Sequence, residues 1–281
     1  MSQIIFSKNL PMKGFIVVAL IVLGSCSSNN SSETNENNTM STEGKVPLSL
    51  YTMHQQHPHN TLSFTEGLFV YKNKLYESTG SPEELPNTKS LLGIVDTFGN
   101  IKPFVELDKK IYFGEGISIL NGKIYQLTYK NQTGFIYDAE TFKGLGTFHF
   151  MNKEGWGLTS DTTNLILGDG TNKISFIDPE SFKIIKEILV TDNKSEVVNI
   201  NELEFVRGFI YANIYTTNII VKIDPLTGKI VKKFNLDSLY NIAINKNPSS
   251  LEMNGIAFNP VTNHFLVTGK MWPYIFEISL D

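Results

Sequence analysis

Cysteine is almost missing: the 281 residues hold a single one, Cys26. One thiol cannot staple a small scaffold, so the fold must rest on a hydrophobic core. The length and a hydrophobic content of 41% allow one large domain or two ordinary ones. Charge is also sparse. Charged residues make up 19%, Lys+Arg 24 against Asp+Glu 28 gives a formal net charge of −4, and no basic run stands out. That balance lacks the footprint of a nucleic-acid binder or of a protein held on an anionic membrane by charge. Nor does any apolar run reach the roughly 20 residues that span a bilayer as a helix. Alanine is scarce, whereas 19 Phe and 11 Tyr accompany abundant Ile, Asn, Gly and Thr. Such a composition favours strands and turns over helices.

The front of the chain explains the lone cysteine. Lys8 and Lys13 precede an apolar run from Phe15 to Leu23, and Leu23-Gly24-Ser25 leads directly into Cys26. This is the layout of a secretory signal over residues 1–25, with Met1 and Met12 both available as its start. Leu-Gly-Ser-Cys resembles the bacterial lipobox, whose cysteine becomes the first residue of the mature protein and carries lipid. The resemblance implies lipidation at Cys26 and a place in the bacterial cell envelope, held by the lipid anchor only and facing the periplasm or the cell exterior. Ser27 to Glu43 is almost wholly Ser, Asn, Thr and Glu, so residues 26–45 read as a solvated tether that cannot offset its own ordering entropy.

From Val46 onward the chain repeats itself, and repeats take precedence over single elements. Each copy opens with an acidic or amide residue beside a glycine or a second acid: Glu66-Gly67, Glu115-Gly116, Glu154-Gly155, Asn201-Glu202 and Asn254-Gly255. A turn and a second apolar strand follow, as at Lys123-Ile124-Tyr125 after the hairpin pair Asn121-Gly122. A third strand then ends in aspartate in four copies, at Asp96, Asp138, Asp178 and Asp224, where the side chain is placed to cap a turn. The spacings of the openings, 49, 39, 48 and 52 residues, with four strands per copy and five copies, describe an all-β, five-bladed β-propeller over residues 46–281. The last copy lacks a strand, and the N-terminal segment Pro47 to Met53 has no copy of its own. That strand is expected to join the last blade and close the ring. The openings would then converge at the propeller axis, where a site is to be sought.

Eight stretches in order resemble the plant-type and bacterial glutaminyl-peptide cyclotransferases, also called glutamine cyclotransferases, from Phe64 to Ile278. Among them are Phe64-Thr65-Glu66-Gly67-Leu68, Phe113-Gly114-Glu115-Gly116-Ile117, Glu154-Gly155-Trp156-Gly157-Leu158, Asn201-Glu202-Leu203-Glu204 and Val267-Thr268-Gly269-Lys270. The resemblance implies a five-bladed propeller, in agreement with the count of repeats. It also implies an acyltransferase that cyclises the N-terminal glutamine of peptides or proteins to pyroglutamate with release of ammonia. By motif correspondence Glu115 is the catalytic glutamate, and Asn201 and Lys270 polarise substrate carbonyl oxygens. Phe64, Glu66, Phe113, Tyr129, Trp156 and Tyr215 form the substrate cage. Tyr129 and Tyr215 stand where the family usually has tryptophan, and Glu66 where it usually has glutamine. A monomer that needs no cofactor and assigns no residue to a metal is expected.

Other readings of the same residues stay open at this level. Glu154, Glu202 and Glu204 are expected to cap backbone amides rather than act chemically. A ring of axial carboxylates with Asn254 also offers oxygen ligands for a structural calcium ion. His54, His57 and His59 have metal-like spacing but read as a solvated loop beside the closing strand. Trp272 is expected to pack where the last strand begins, with its ring near the channel rim. The competing functions are a non-catalytic envelope scaffold or peptide-binding lipoprotein, and a calcium-dependent hydrolase of the kind other propellers carry.

Overall fold

The computed structural model describes residues 46–281. The leader, Cys26 and the tether lie outside the described residues. Five blades follow one another along the chain, as the repeat count requires, each with four antiparallel strands; Leu48–Ser49 adds a fifth, parallel strand to blade 4, and Thr191–Asp192 pairs with Ser195–Glu196 as a separate two-stranded ribbon. The innermost strands are Phe64–Tyr71, Gly114–Leu120, Leu158–Ser160, Ile200–Val206 and Met253–Asn259, and each blade then runs outward strand by strand. Asn121 and Gly122 both take positive φ, 52° and 73°, the geometry that a two-residue hairpin demands of them. The aspartates cap their turns as expected. Asp138 Oδ1, for instance, accepts the N–H of Thr141 at 2.7 Å, and Asp224 Oδ1 that of Leu226 at 2.9 Å.

Apolar side chains alternate along the strands, so each sheet buries both faces against its neighbours and the core divides into clusters between blades. The one between blades 2 and 3 contains Tyr125, Leu127, Phe150, Leu158 and Leu165. The cluster between blades 5 and 1, at the closure, holds only Leu68, Ala257, Leu266 and Ile275 as fully buried members. Ring closure is therefore more dependent on backbone hydrogen bonding. Tyr51–Pro58 pairs antiparallel with Tyr274–Leu280 and supplies the outer strand of blade 5.

The closing strand thus begins and ends later than the expected Pro47 to Met53. Leu48–Ser49 pairs instead in parallel with the edge of blade 4, Leu48 facing Lys233. His54 and His57 lie on the closing strand rather than in a loop, and His59 is buried just beyond it. His59 Nδ1 donates to the Trp272 carbonyl at 2.9 Å while Nε2 meets Glu77 at 3.1 Å. Burial, the largest influence, works to lower the imidazole pKa, but the Glu77 charge and the hydrogen bonds to Glu77 and the Trp272 carbonyl together outweigh it and the net shift is upward. Trp272 is also off the channel rim. It is fully buried against Tyr240 and Phe276, its Nε1 donating to the Leu251 carbonyl at 2.9 Å. Tyr240 belongs to an α-helix, Asp237–Lys246, inserted between blades 4 and 5, which buries Leu239 and Ala243 one turn apart.

Candidate active site

Four of the five innermost strands carry the same defect at the same end. Strand pairing slips by one residue between Thr65 and Gly67, between Gly114 and Ile117, between Ile200 and Leu203, and between Met253 and Ile256. Each slip is a β-bulge with one extra residue on the inner strand, which re-aims side chains relative to the sheet's alternation. The bulged residues are Glu66, Glu115-Gly116, Asn201-Glu202 and Asn254-Gly255, the repeat openings themselves. Their glycines let the blades approach closely at the axis. A Cβ on Gly67 would lie 2.7 Å from the Ile117 nitrogen, and one on Gly116 2.5 Å from the Leu158 nitrogen.

At that end of the axis lies a cavity of about 260 Å³ lined by Phe64, Glu66, Phe113, Glu115, Tyr129, Trp156, Asn201, Tyr215 and Lys270. All nine residues singled out in the sequence for substrate or chemistry meet there, drawn from every blade. Five aromatic rings wall it. Phe64 meets Phe113 edge-on at 6.1 Å, and Trp156 meets Tyr215 edge-on at 5.5 Å. Two features that the motifs do not announce hold these rings. Gly80 leaves room for Phe113, whose ring a Cβ there would strike at 2.1 Å. Glu154 accepts the Trp156 Nε1 hydrogen at 3.0 Å, which places this glutamate in support of the cage.

The polar side chains form one electrostatic unit. Lys270 Nζ lies 2.9 Å from Glu66 Oε1, 4.5 Å from the Phe64 ring centre and 5.2 Å from that of Tyr215. Asn254 Nδ2 donates to the other Glu66 oxygen at 2.8 Å and to the Thr65 carbonyl at 3.1 Å. Burial pushes the Glu66 carboxyl up to about 7, although Lys270 pulls the other way. For Lys270 burial favours the neutral amine, but the charges of Glu66 and Glu115 prevail and its pKa is raised. Glu115 is 6% exposed, and its carboxylate has no hydrogen-bond partner among the described residues. Burial first, then the neighbouring Glu66 charge, hold its pKa well above the usual carboxylate range. Asn201 likewise makes no side-chain hydrogen bond among the described residues, and its Oδ1 is buried. A proton acceptor of raised pKa, an unengaged amide and a fixed ammonium therefore share one aromatic chamber.

The remaining axial glutamates are engaged elsewhere. Glu202 accepts the N–H groups of Leu68 and Ile256 at 3.1 and 2.8 Å, tying blade 4 to blades 1 and 5. Glu204 accepts the Phe258 N–H at 2.8 Å. These are the backbone caps expected of them. The carboxylates of Glu202, Glu204 and Glu66 are thus engaged by backbone N–H groups, Asn254 and Lys270, while Glu115 and the Oδ1 atoms of Asn201 and Asn254 have no hydrogen-bond partner among the described residues. No group of three His, Cys, Asp or Glu able to hold a metal ion occurs among the described residues.

Comparison with known proteins agrees with the motifs. The glutamine cyclotransferase family profile matches residues 17–280. A glutaminyl-peptide cyclotransferase of Arabidopsis thaliana is 31% identical over 225 residues, which cover 79% of this chain and 69% of that protein. The crystal structure of Myxococcus xanthus glutaminyl cyclase superposes with a TM-score of 0.74 at 29% identity, over 84% of this chain and 98% of that one.

Proposed function

The chain belongs to the glutamine cyclotransferase family, and from that premise we propose that its axial chamber converts the N-terminal glutamine of peptides or proteins to pyroglutamate with release of ammonia. The observation that carries the proposal is the unpartnered, high-pKa Glu115 facing the aromatic chamber between Lys270 and Asn201. The substrate's α-amine has an ordinary pKa near 8, so a carboxylate of raised pKa is well matched to accept its proton. The neutral amine attacks the side-chain amide carbon, and the carbonyl oxygen gathers negative charge. Asn201 and Lys270 supply N–H donors to that oxygen and to the neighbouring substrate carbonyl. Collapse breaks the bond to the amide nitrogen, which takes the proton back from Glu115 and leaves as ammonia. The ring nitrogen, left with one hydrogen too many, passes it to the Glu115 carboxylate, which hands it to the departing ammonia or to solvent and is ready again. Every step has a side chain to carry it, and the proposal calls on no cofactor.

Attack within a single residue makes positioning the main task, and the ring of Phe64, Phe113, Tyr129, Trp156 and Tyr215 suits a glutamine folded back on itself. We further propose that Cys26 carries lipid and that the propeller works as a monomer in the cell envelope, on the strength of the Leu23-Gly24-Ser25-Cys26 motif and the polar tether after it. The deciding experiment incubates the purified protein with a glutamine-initiated peptide and follows ammonia together with loss of its mass from the peptide. Release no faster than the spontaneous rate overturns the enzyme, and tight binding without release would identify a peptide-binding scaffold instead.

A further inference from the structure

A second cavity of about 260 Å³ lies beside the axial chamber, where blades 4 and 5 meet. Its walls include Thr216, Thr217 and Asn218, Tyr240 of the helix, and Leu251 and Glu252 of the segment entering blade 5. Two backbone connections fix it to the chamber. Thr216 directly follows Tyr215, and it holds a φ of 66°, a conformation that a β-branched residue adopts only under constraint. On the other side Lys270 N donates to the Glu252 carbonyl and Leu251 N donates to that of Lys270, both at 2.9 Å. The second cavity is thus tied to the chamber through the backbone: Thr216 follows Tyr215 in the chain, and Leu251 and Glu252 are hydrogen-bonded to the main chain of Lys270.

Glu252 is the one charged residue lining this second cavity. It is half-buried, and its carboxylate has no hydrogen bond or ion pair among the described residues. The cations around it are committed: Lys270 to Glu66 at 2.9 Å, and Lys130 over the Tyr129 ring at 4.5 Å on the blade 2 side. On the blade 1 side, a cavity near Ser63 and Thr79 carries Lys89, but that ammonium is paired with Glu106 at 3.0 Å. Glu252 is therefore an unpaired acidic group in the cavity next to the place where a peptide's first residue would sit.

We propose that the cavity between blades 4 and 5 receives the residues that follow the N-terminal glutamine, and that Glu252 makes it favour lysine or arginine there. The proposal rests on the cyclotransferase reading and adds to it a preference among substrates. A hydrated pair of this kind is worth under about 1 kcal/mol, and repulsion of an acidic side chain adds a similar amount.

The test compares kcat/KM for Gln-Lys-Lys-Ala and Gln-Glu-Glu-Ala. The lysine peptide is expected to lead by about tenfold in the unaltered protein and by less than about twofold in Glu252→Gln, with the order reversed in Glu252→Lys. Because the readout is a ratio, a general loss of activity or folding cancels. Equal rates in the unaltered protein, or a preference that survives Glu252→Gln, overturn the proposal. The same two peptides bound to Glu115→Gln give the affinity ratio without turnover. A protein that releases no ammonia yet binds the lysine peptide preferentially would refute the cyclotransferase and leave this cavity's role standing.

Discussion

Lys270 Nζ and Glu66 Oε1 stand 2.9 Å apart at the floor of the aromatic chamber, an ion pair with side chains 8% and 3% exposed. Glu66 is at once the lysine's counter-ion and the like charge that lifts Glu115. Replacing it with glutamine, Glu66→Gln, keeps the shape and removes the charge. Glu115 should then titrate lower, and the acidic limb of the kcat/KM profile should move down by about one pH unit. An unmoved limb would show that another group sets it.

Glu115→Gln removes the proton carrier and leaves the cage intact. Ammonia release should fall roughly 10²- to 10⁴-fold. Thermal stability should hold or rise, because an unpartnered buried carboxyl is replaced by a neutral amide. Loss of activity accompanied by unfolding would point to a structural role.

Gly80→Ala tests the wall rather than the chemistry. The added Cβ would lie 2.1 Å from the Phe113 ring, so the ring must move into the chamber or the strands must part. Either response costs about 1–3 kcal/mol of stability. A ring displaced toward the substrate should raise KM more than it lowers kcat, as peptide-concentration series would reveal.

The buried glutamates set how stability varies with pH. Glu66 titrates near 7 and Glu204 near 8 in the folded chain, both pushed up mainly by burial. The folded state therefore keeps protons that the unfolded chain releases above about pH 4.5. Stability is full below that value and declines as pH rises through 7 and 8. Glu204 alone accounts for on the order of 3–5 kcal/mol across that window. Melting temperature should fall between pH 5 and pH 8, and Glu204→Gln should flatten the slope.

A chelator should change neither activity nor melting temperature. The axial carboxylates of Glu202 and Glu66 already accept hydrogen bonds from backbone amides, Asn254 and Lys270, and the described residues hold no group of three acidic, His or Cys side chains able to bind a metal ion. A drop in melting temperature with EDTA, reversed by calcium, would show that an ion displaces one of these bonds.

The blade count, the capped aspartate turns and the Glu and Asn openings at the axis were legible as a repeat, for a physical reason, whereas the roles of the chamber residues, among them Lys270 and the aromatic cage, came from the family resemblance. An inner strand must approach its neighbours closely, so it combines a glycine with the polar residue of its bulge, and that pair survives as a local pattern. The closing strand left a fainter trace. Tyr51–Pro58 lies at an edge with most side chains exposed, so its His-Gln-Gln-His stretch lacks the apolar alternation that marks a buried strand, and the Pro58 at its end is tolerated there. The helix over Asp237–Lys246 is ten residues long and buries only Leu239 and Ala243 fully, too little for a pronounced period. Gly80 closes one of the eight stretches that resemble the family, but its role does not show there, because it acts through Phe113, distant in sequence. Glu252 lies in no such stretch and is tied to the chamber only through the main chain of Lys270.

The bulges separate two jobs that a strand usually combines. Strand pairing resumes in register beyond each one, from Gly67, Ile117, Leu203 and Ile256 outward. The identity of an extra residue is thus free of the hydrophobic alternation that holds the blade together. Chamber chemistry can be exchanged one blade at a time while the sheets stay as they are. A propeller of this design resembles a socket with interchangeable contacts, and Glu66, the extra residue of the blade 1 bulge, is one such contact.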